Sequence, residues 1–309
     1  MKISVTIPSY RQRYLDEAIR SVLAQTWQDW ELVIVDDHSP EDLQSVAGPY
    51  TADDRIHYYR NGANCGALNV VDNWNICLSY CTGDYVVCIG DDDRLLPCCL
   101  EEYARLIGHY PGLNVYHART QIIDEAGTVV GFQEERPPFE TCEEMMLRQW
   151  AYKRKQFLGD FLFSRKWLLC NGGYVKFPLA YCSDWATANL AASTGGIANG
   201  QVTMFEYRDN SRSISRSQGL RTAVRACCQA HRWYVDTFSH LQASFFTRHF
   251  VRNMTDMIYL DIRNKPVRET AYWLCHRADT LLSPGEMLNV CLRGIAATLR
   301  RKAWSFASL

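Results

Sequence analysis

Three adjacent aspartates, Asp91-Asp92-Asp93, interrupt the otherwise mostly apolar stretch VVCIGDDDRLLP (86–97). Like charges side by side repel, so on an ordered element such a cluster either faces open solvent or waits for a cation. A divalent metal carrying a diphosphate needs one or two carboxylates, with phosphate oxygens and water completing its octahedron. If the strand continues, Asp91 and Asp93 share one side and Asp92 takes the other. A second acidic group, Asp36-Asp37, closes the apolar run ELVIVDD. One of the two could cap the following helix, as could Ser39 or Asp42. Alternatively, Asp37 could accept a hydrogen bond from a nucleobase N–H, as carboxylates do at base edges. Pro8-Ser9-Tyr10 follows a third run, and the Tyr10 ring offers a flat face for a base.

The elements that carry these residues follow from periodicity. ISVTI (3–7), ELVIVDD (31–37), HYY (57–59) and DYVVCI (84–89) read as strands. Between them lie a helix with Leu15, Ile19, Val22 and Leu23 on one face, a short helix from Glu41, and a helix with Val70, Trp74 and Leu78 on one side. The alternation βαβαβαβ predicts an α/β fold with a doubly wound, mostly parallel sheet. Ligands of such sheets bind beyond the carboxyl ends of the strands, so the three groups above should converge on one edge. From 113 to 207 the pattern is less regular, with a turn at Asp124-Glu125-Ala126-Gly127 between two strand-like stretches, helices near 143–150 and 184–193, and a strand at 201–207. Beyond 217 strand signals vanish, and three or four helices remain, broken at Lys265-Pro266 and Ser283-Pro284-Gly285.

At 309 residues and 47% hydrophobic, the chain can bury a real core and is not disordered. Its net charge of -1 hides an asymmetry: 17 basic and 27 acidic residues stand before position 208, and 16 basic and 7 acidic from there on. The 13 cysteines make no C-x-x-C pair and are expected to be reduced thiols of a cytosolic protein, most of them small core residues. Residues 1–7 read as a strand rather than a signal peptide, and no apolar run reaches transmembrane length. The basic residues match no nucleic-acid recognition motif, and a P-loop is absent.

SVTIPSYRQRYLDEAIRSVLAQTWQDWELVIVDDHS, then Asn64-Cys65-Gly66, then WNICLSYCTGDYVVCIGDDDRLLP together resemble the family 2 nucleotide-sugar glycosyltransferases. The resemblance is strong over residues 3 to about 100 and traceable to about 215. It implies the GT-A fold, with a catalytic domain over 1–215 (a nucleotide-binding half at 1–112 and an acceptor-binding half at 113–215) and a helical region at 216–309. It implies that Tyr10 and Asp37 hold the base, usually uracil, and that Asp93 holds Mn²⁺ or Mg²⁺ on the diphosphate of a UDP-sugar donor, with Asp91 as a second ligand. Many members read D-S-D-D where this chain has Gly90-Asp91-Asp92-Asp93, which leaves the division of labour between Asp91 and Asp92 open. Pro8, Ser9, Asn64, Gly66 and Asn75 fall in stretches that line the donor in the family, although Asn75 could instead pack within its helix.

The family's catalytic base opens a helix, and YCSDWATANLA (181–191) matches it at Asp184, with a helix cap as the alternative role. Asp160 and Trp185 are the candidates for the acceptor side. In YRDNSRSISRS, Arg212 and Arg216 are placed to close on the diphosphate. The implied reaction is inverting, metal-dependent transfer to a glycan or lipid-linked acceptor. A relative that binds the nucleotide-sugar without turnover is the alternative; a phosphatase-like enzyme would want its D-x-D on the first strand, which here ends in Pro8-Ser9-Tyr10. The last helix aligns Leu288, Cys291, Leu292, Ile295 and Leu299, with Arg300, Arg301 and Lys302 beyond. That stripe could rest on the inner face of an anionic membrane, on the catalytic domain, or on a second subunit in a homodimer.

Overall fold

The computed structural model describes residues 1–150, 154–210, 219–264 and 266–307. Strands β1 (Ile3–Ser9), β2 (Trp30–Asp36), β3 (Ile56–Arg60) and β4 (Tyr85–Cys88) lie parallel in the order β3-β2-β1-β4. Their near-continuous apolar sequences suit strands buried on both faces. Alternation sorts the side chains: Ile3, Val5, Ile7, Leu32, Ile34 and Val87 join one core with α1 (Leu15–Leu23), α2 (Leu43–Ala47) and α4 (Cys99–His109). Helix α3 (Val70–Tyr80) lies outside that core, packs on β1 and β2, and buries Val71, Trp74, Cys77 and Leu78. The expected doubly wound half is therefore present.

Beyond β4 the sheet becomes mixed. It continues through β9 (Phe161–Ser164), β6 (Val115–Ile123), β10 (Ile197–Arg208) and β5 (Arg94–Leu95). Strand β9 runs antiparallel to both β4 and β6, β6 and β10 are parallel, and β5 is antiparallel to β10. The turn at 124–127 joins β6 to β7 (Val129–Phe132), where Asp124 Oδ1 accepts from the amides of Ala126 and Thr128, each at 2.9 Å. One short strand pairing and three helices complete this half: β8 (Phe139–Glu140) pairs with β10, and α5 (Cys142–Trp150), α6 (Arg165–Cys170) and α7 (Ser183–Ala192) follow in sequence. Gly159 stands where a Cβ would meet the Phe205 ring at 2.2 Å, so only glycine allows the turn before Asp160 to press against β10.

The described residues form two compact units. Those up to 210, apart from Phe177–Tyr181, make one; Phe177–Tyr181 with those from 219 onward make the other. The second contains α8 (Leu220–Thr237), α9 (Ala243–Asn264), α10 (Pro266–Cys275) and α11 (Pro284–Ala307), the last two each beginning at a proline, which suits a first helical position. Its centre is aromatic: Tyr234 packs against Phe238, Phe246 and Phe250. Helices α9 and α11 approach closely at Gly294, where a Cβ would meet Ile262 at 2.5 Å. This contact corrects the single stripe expected on the last helix. Cys291, Gly294 and Thr298 face inward, whereas Leu288, Leu292 and Leu299 remain 55–62% exposed. Among the described residues no helix is long and apolar enough to cross a membrane.

Candidate active site

The ends of β1, β2 and β4 meet at one edge, as expected. Register sets Ser9 level with Asp36, and the acids after β4 reach the β1 loop. Asp91 Oδ2 accepts from the backbone amides of Tyr10 and Arg11, both at 2.7 Å, and from Ser9 Oγ at 3.3 Å. One oxygen of Asp91 therefore anchors the turn that presents Tyr10, and its other oxygen accepts no hydrogen bond among the described residues. Ser39 Oγ donates to the Tyr10 carbonyl at 2.7 Å from the opposite side. The turn is held from two strands while the Tyr10 ring stays 42% exposed. Pro8 lies in β1 beside Val35, one step before this turn.

Asp36 and Asp37 have separated roles. Asp36 is fully buried, accepting from the Ser39 amide at 2.7 Å, from Tyr58 OH at 2.8 Å and from Arg60. It is a structural ion pair, and the cap of α2 falls to Asp42, which accepts from the Ser45 amide. Asp37 Oδ1 accepts from Asn61 Nδ2 at 2.9 Å and from the Cys65 amide at 3.0 Å, and its Oδ2 from Asn64 Nδ2 at 3.2 Å. Asn64 thus orients Asp37, and Gly66 supplies the left-handed φ of 78° that lets the loop turn into α3. Asn75 is not brought to this group. Its Oδ1 accepts from the Tyr174 amide at 2.8 Å, tying α3 to residues 173–174, which favours the packing role over donor contact.

Asp92 and Asp93 are the acids with the fewest compensations. Asp93 Oδ1 accepts from the Arg208 amide at 2.9 Å and Oδ2 from the Gly90 amide at 3.2 Å; Asp92 accepts from Asn210. Gly90 is required here, because a Cβ would lie 2.7 Å from an Asp92 oxygen. Among the described residues none of the three aspartates forms an ion pair with a cationic side chain. Burial, then the charge of Asp91, pushes Asp92 up to about 6; burial and the Asp92 charge push Asp93 well above the usual carboxylate range. An oxygen-only, acid-rich and cation-poor cluster fits a hard divalent ion whose remaining ligands are phosphate and water. Among the described residues no group of three or more His, Cys, Asp or Glu could hold a metal alone.

Arg208 was not anticipated from sequence. It is buried, its ring-facing guanidinium lies 4.0 Å from the Tyr14 ring centroid, and it donates to Glu17 at 2.7 Å and to the Asp92 carbonyl at 2.8 Å. It locks the acidic turn to β10 and α1. Arg212 and Arg216, the expected diphosphate contacts, lie outside the described residues.

Asp184 opens α7 in the first turn, after Cys182 in the left-handed region (φ 59°). Burial pushes its carboxyl up to about 7, with the Asp160 charge adding to the effect. Trp185, beside it, packs edge-on against Trp150 with ring centroids 6.3 Å apart. Asp160, expected to touch the acceptor, is instead fully buried. Its Oδ1 accepts from Thr120 and its Oδ2 from Gln133 at 2.6 Å and the Phe157 amide at 2.7 Å. With both oxygens engaged, it positions β6 and the turn before β9, and its charge is felt at both Asp93 and Asp184. Burial pushes it, too, up to about 7.

These shifts set a pH dependence. Between about pH 4 and 7 the folded chain keeps protons on these buried carboxyls that the unfolded chain has released, so stability is greatest below that window and declines as pH rises through it. The nucleotide- and metal-free protein is expected to melt several degrees higher at pH 6 than at pH 8, since each such group contributes ~1 kcal/mol over that interval. Calorimetric melting at the two values checks this, and a Tm that is flat or rises toward pH 8 would contradict it.

Fold and site together define an α/β domain with acids at the ends of its parallel strands. The chain belongs to glycosyl transferase family 2, whose model matches residues 4–171. It is similar to EpsE of Bacillus subtilis (33% identity over 129 residues, covering 41% of this chain and 45% of EpsE). It is also similar to the GalNAc(5)-diNAcBac-PP-undecaprenol beta-1,3-glucosyltransferase of Campylobacter jejuni (35% identity over 118 residues, covering 35% and 38%). The chain thus spans less than half the length of these curated relatives. Among solved structures, S. aureus TarS residues 1–349 in complex with UDP-GlcNAc shares the fold with a TM-score of 0.66 at 15% identity, covering 94% of this chain and 90% of that one.

Proposed function

We propose that the chain transfers a sugar from a UDP-sugar to a hydroxyl of a glycan or lipid-linked acceptor, with inversion at the anomeric carbon. The observation that carries this reading is the convergence, on one sheet edge, of an exposed Tyr10 ring, the oriented Asp37 carboxylate and an aspartate cluster that forms no ion pair among the described residues. UDP-GlcNAc in the TarS complex supports UDP as the nucleotide.

The uracil stacks on Tyr10 and gives its N–H to Asp37, whose Oδ2 accepts only Asn64 side-chain hydrogen bonding in the free protein. Asp93 and the free oxygen of Asp91 are the residues that would hold Mn²⁺ or Mg²⁺, which supplies charge neutralisation to the diphosphate as it departs. Asp184 takes the proton of the acceptor hydroxyl while that oxygen bonds to the anomeric carbon and the carbon–phosphate-oxygen bond breaks. A proton affinity near neutral suits this role, because the carboxylate is both populated and basic near pH 7. Arg208 and Gly90 keep the acidic turn in place. The exposed Leu288, Leu292 and Leu299, in a chain segment of strong positive charge, support contact with an anionic membrane where lipid-linked acceptors reside.

Calorimetric titration of UDP tests the donor assignment. Binding is expected in Mn²⁺, at least about tenfold weaker for GDP, which lacks the uracil edge Asp37 reads, and lost on chelation. Equal affinity for the two nucleotides would contradict the assignment.

A further inference from the structure

Arg136, between β7 and β8, is 7% exposed, and none of its three guanidinium nitrogens has a hydrogen-bond partner among the described residues. Among the described residues it makes no ion pair either. Glu140 is taken by Arg154, whose Nη2 donates to Oε1 at 2.6 Å. Asp160 is near enough for its charge to be felt at Arg136, but its oxygens are committed to Thr120, Gln133 and Phe157. Beside them His117 is 1% exposed, with Nε2 3.8 Å from Asp160, Gln133 close by, and neither ring nitrogen in good hydrogen-bond geometry among the described residues. Burial, then the charges of Arg136 and Arg154, keeps His117 neutral, so one of its nitrogens carries a proton to donate.

A buried guanidinium whose nitrogens have no hydrogen-bond partner is a costly feature even with acids nearby, because its N–H groups have given up water. A guanidinium presents paired N–H groups that match two oxygens of a phosphate or carboxylate. We propose that Arg136, with His117 beside it, receives an anionic group of the acceptor, a phosphate or a carboxylate. The assignment to the acceptor rests on the transfer reading above: Arg136 lies between β7 and β8, in the half read as acceptor-binding, and among the described residues it makes no hydrogen bond or ion pair with Asp91, Asp92 or Asp93, while its acidic neighbour Asp160 is felt at both Asp93 and the proposed base Asp184. Because the guanidinium nitrogens are sealed from solvent, the anion becomes part of the packed interior and raises stability when bound.

The test uses the whole chain and inorganic phosphate as the probe, at constant ionic strength against chloride. Wild type is expected to melt higher with increasing phosphate, and Arg136→Gln to lose that response by at least tenfold, with UDP affinity in Mn²⁺ unchanged within twofold. In phosphate-free buffer Arg136→Gln is expected to melt no lower than wild type, since it removes an unpaired buried charge. A wild type that ignores phosphate, or an Arg136→Gln that keeps the response, overturns the proposal. A fall in UDP affinity in Arg136→Gln assigns the guanidinium to the donor and overturns it as well. Should that variant not fold, Arg136→Lys keeps the charge without the paired donors, and an undiminished phosphate response there is equally fatal. If UDP fails to bind wild type while phosphate still stabilises it through Arg136, the transfer reading falls and the anion site stands without its acceptor assignment.

Discussion

Asp184→Asn is expected to lower the turnover of sugar transfer by about 100- to 10,000-fold while leaving UDP affinity within about twofold of wild type. The amide keeps the size of the side chain and one hydrogen-bond acceptor in the first turn of α7, whose N-cap position is Cys182, but it cannot take a proton. A structural role would behave differently. If Asp184 merely capped the helix, the variant would melt lower and lose turnover only in proportion to unfolding. The pH–rate profile separates the two further. With wild type, turnover should rise through about pH 7 as the carboxyl ionises, and the residual rate of the variant should lack that limb.

Asp93→Asn is expected to weaken metal-dependent UDP binding by about 100-fold or more, to the level wild type shows under chelation. The fold should survive, because the Asn oxygen can still accept from the Arg208 amide that Asp93 Oδ1 bonds at 2.9 Å. Removing one of several crowded acids should even raise the Tm of the metal-free protein at pH 8, since burial and then the Asp92 charge oppose ionisation of Asp93. Unchanged UDP affinity in calorimetric titration would take the metal role away from Asp93.

The parallel half of the sheet was legible in the sequence for a physical reason. Strands buried on both faces must be apolar throughout, so ISVTI, ELVIVDD and DYVVCI announce themselves, and parallel order brings their ends together. The helix breaks at Pro266 and Pro284 were legible for an equally local reason, the missing N–H of proline. Strand β9 was not, because four residues, FLFS, set no period. Nor were the roles that depend on distant partners. Asp91 meets the amide of Tyr10 across 81 positions, and Arg208 meets Asp93 across 115. Nothing local to GDDDR distinguishes the aspartate that anchors a loop from the one left for a cation. Asp160 carried a similar ambiguity: FLGDFLF is as apolar as a core strand, and the tightness of Gly159 against Phe205 was the feature that buried the acid. On the last helix the apolar positions were identified correctly, but the 3.6-residue period permits more than one seam. Gly294 decided it by letting α9 approach, turning Cys291 inward and leaving Leu288, Leu292 and Leu299 outside.

The most direct test of the transfer reading is nucleotide release from a panel of UDP-, GDP-, dTDP- and CMP-sugars in Mn²⁺, run for the wild-type chain with a lipid-linked or glycan acceptor mixture and repeated with chelator. Release of UDP from a UDP-sugar, abolished by chelation, is the predicted result and would name the sugar. Turnover that is indifferent to chelation, or release from only a non-uridine donor, would contradict the roles given to Asp93 and Asp37.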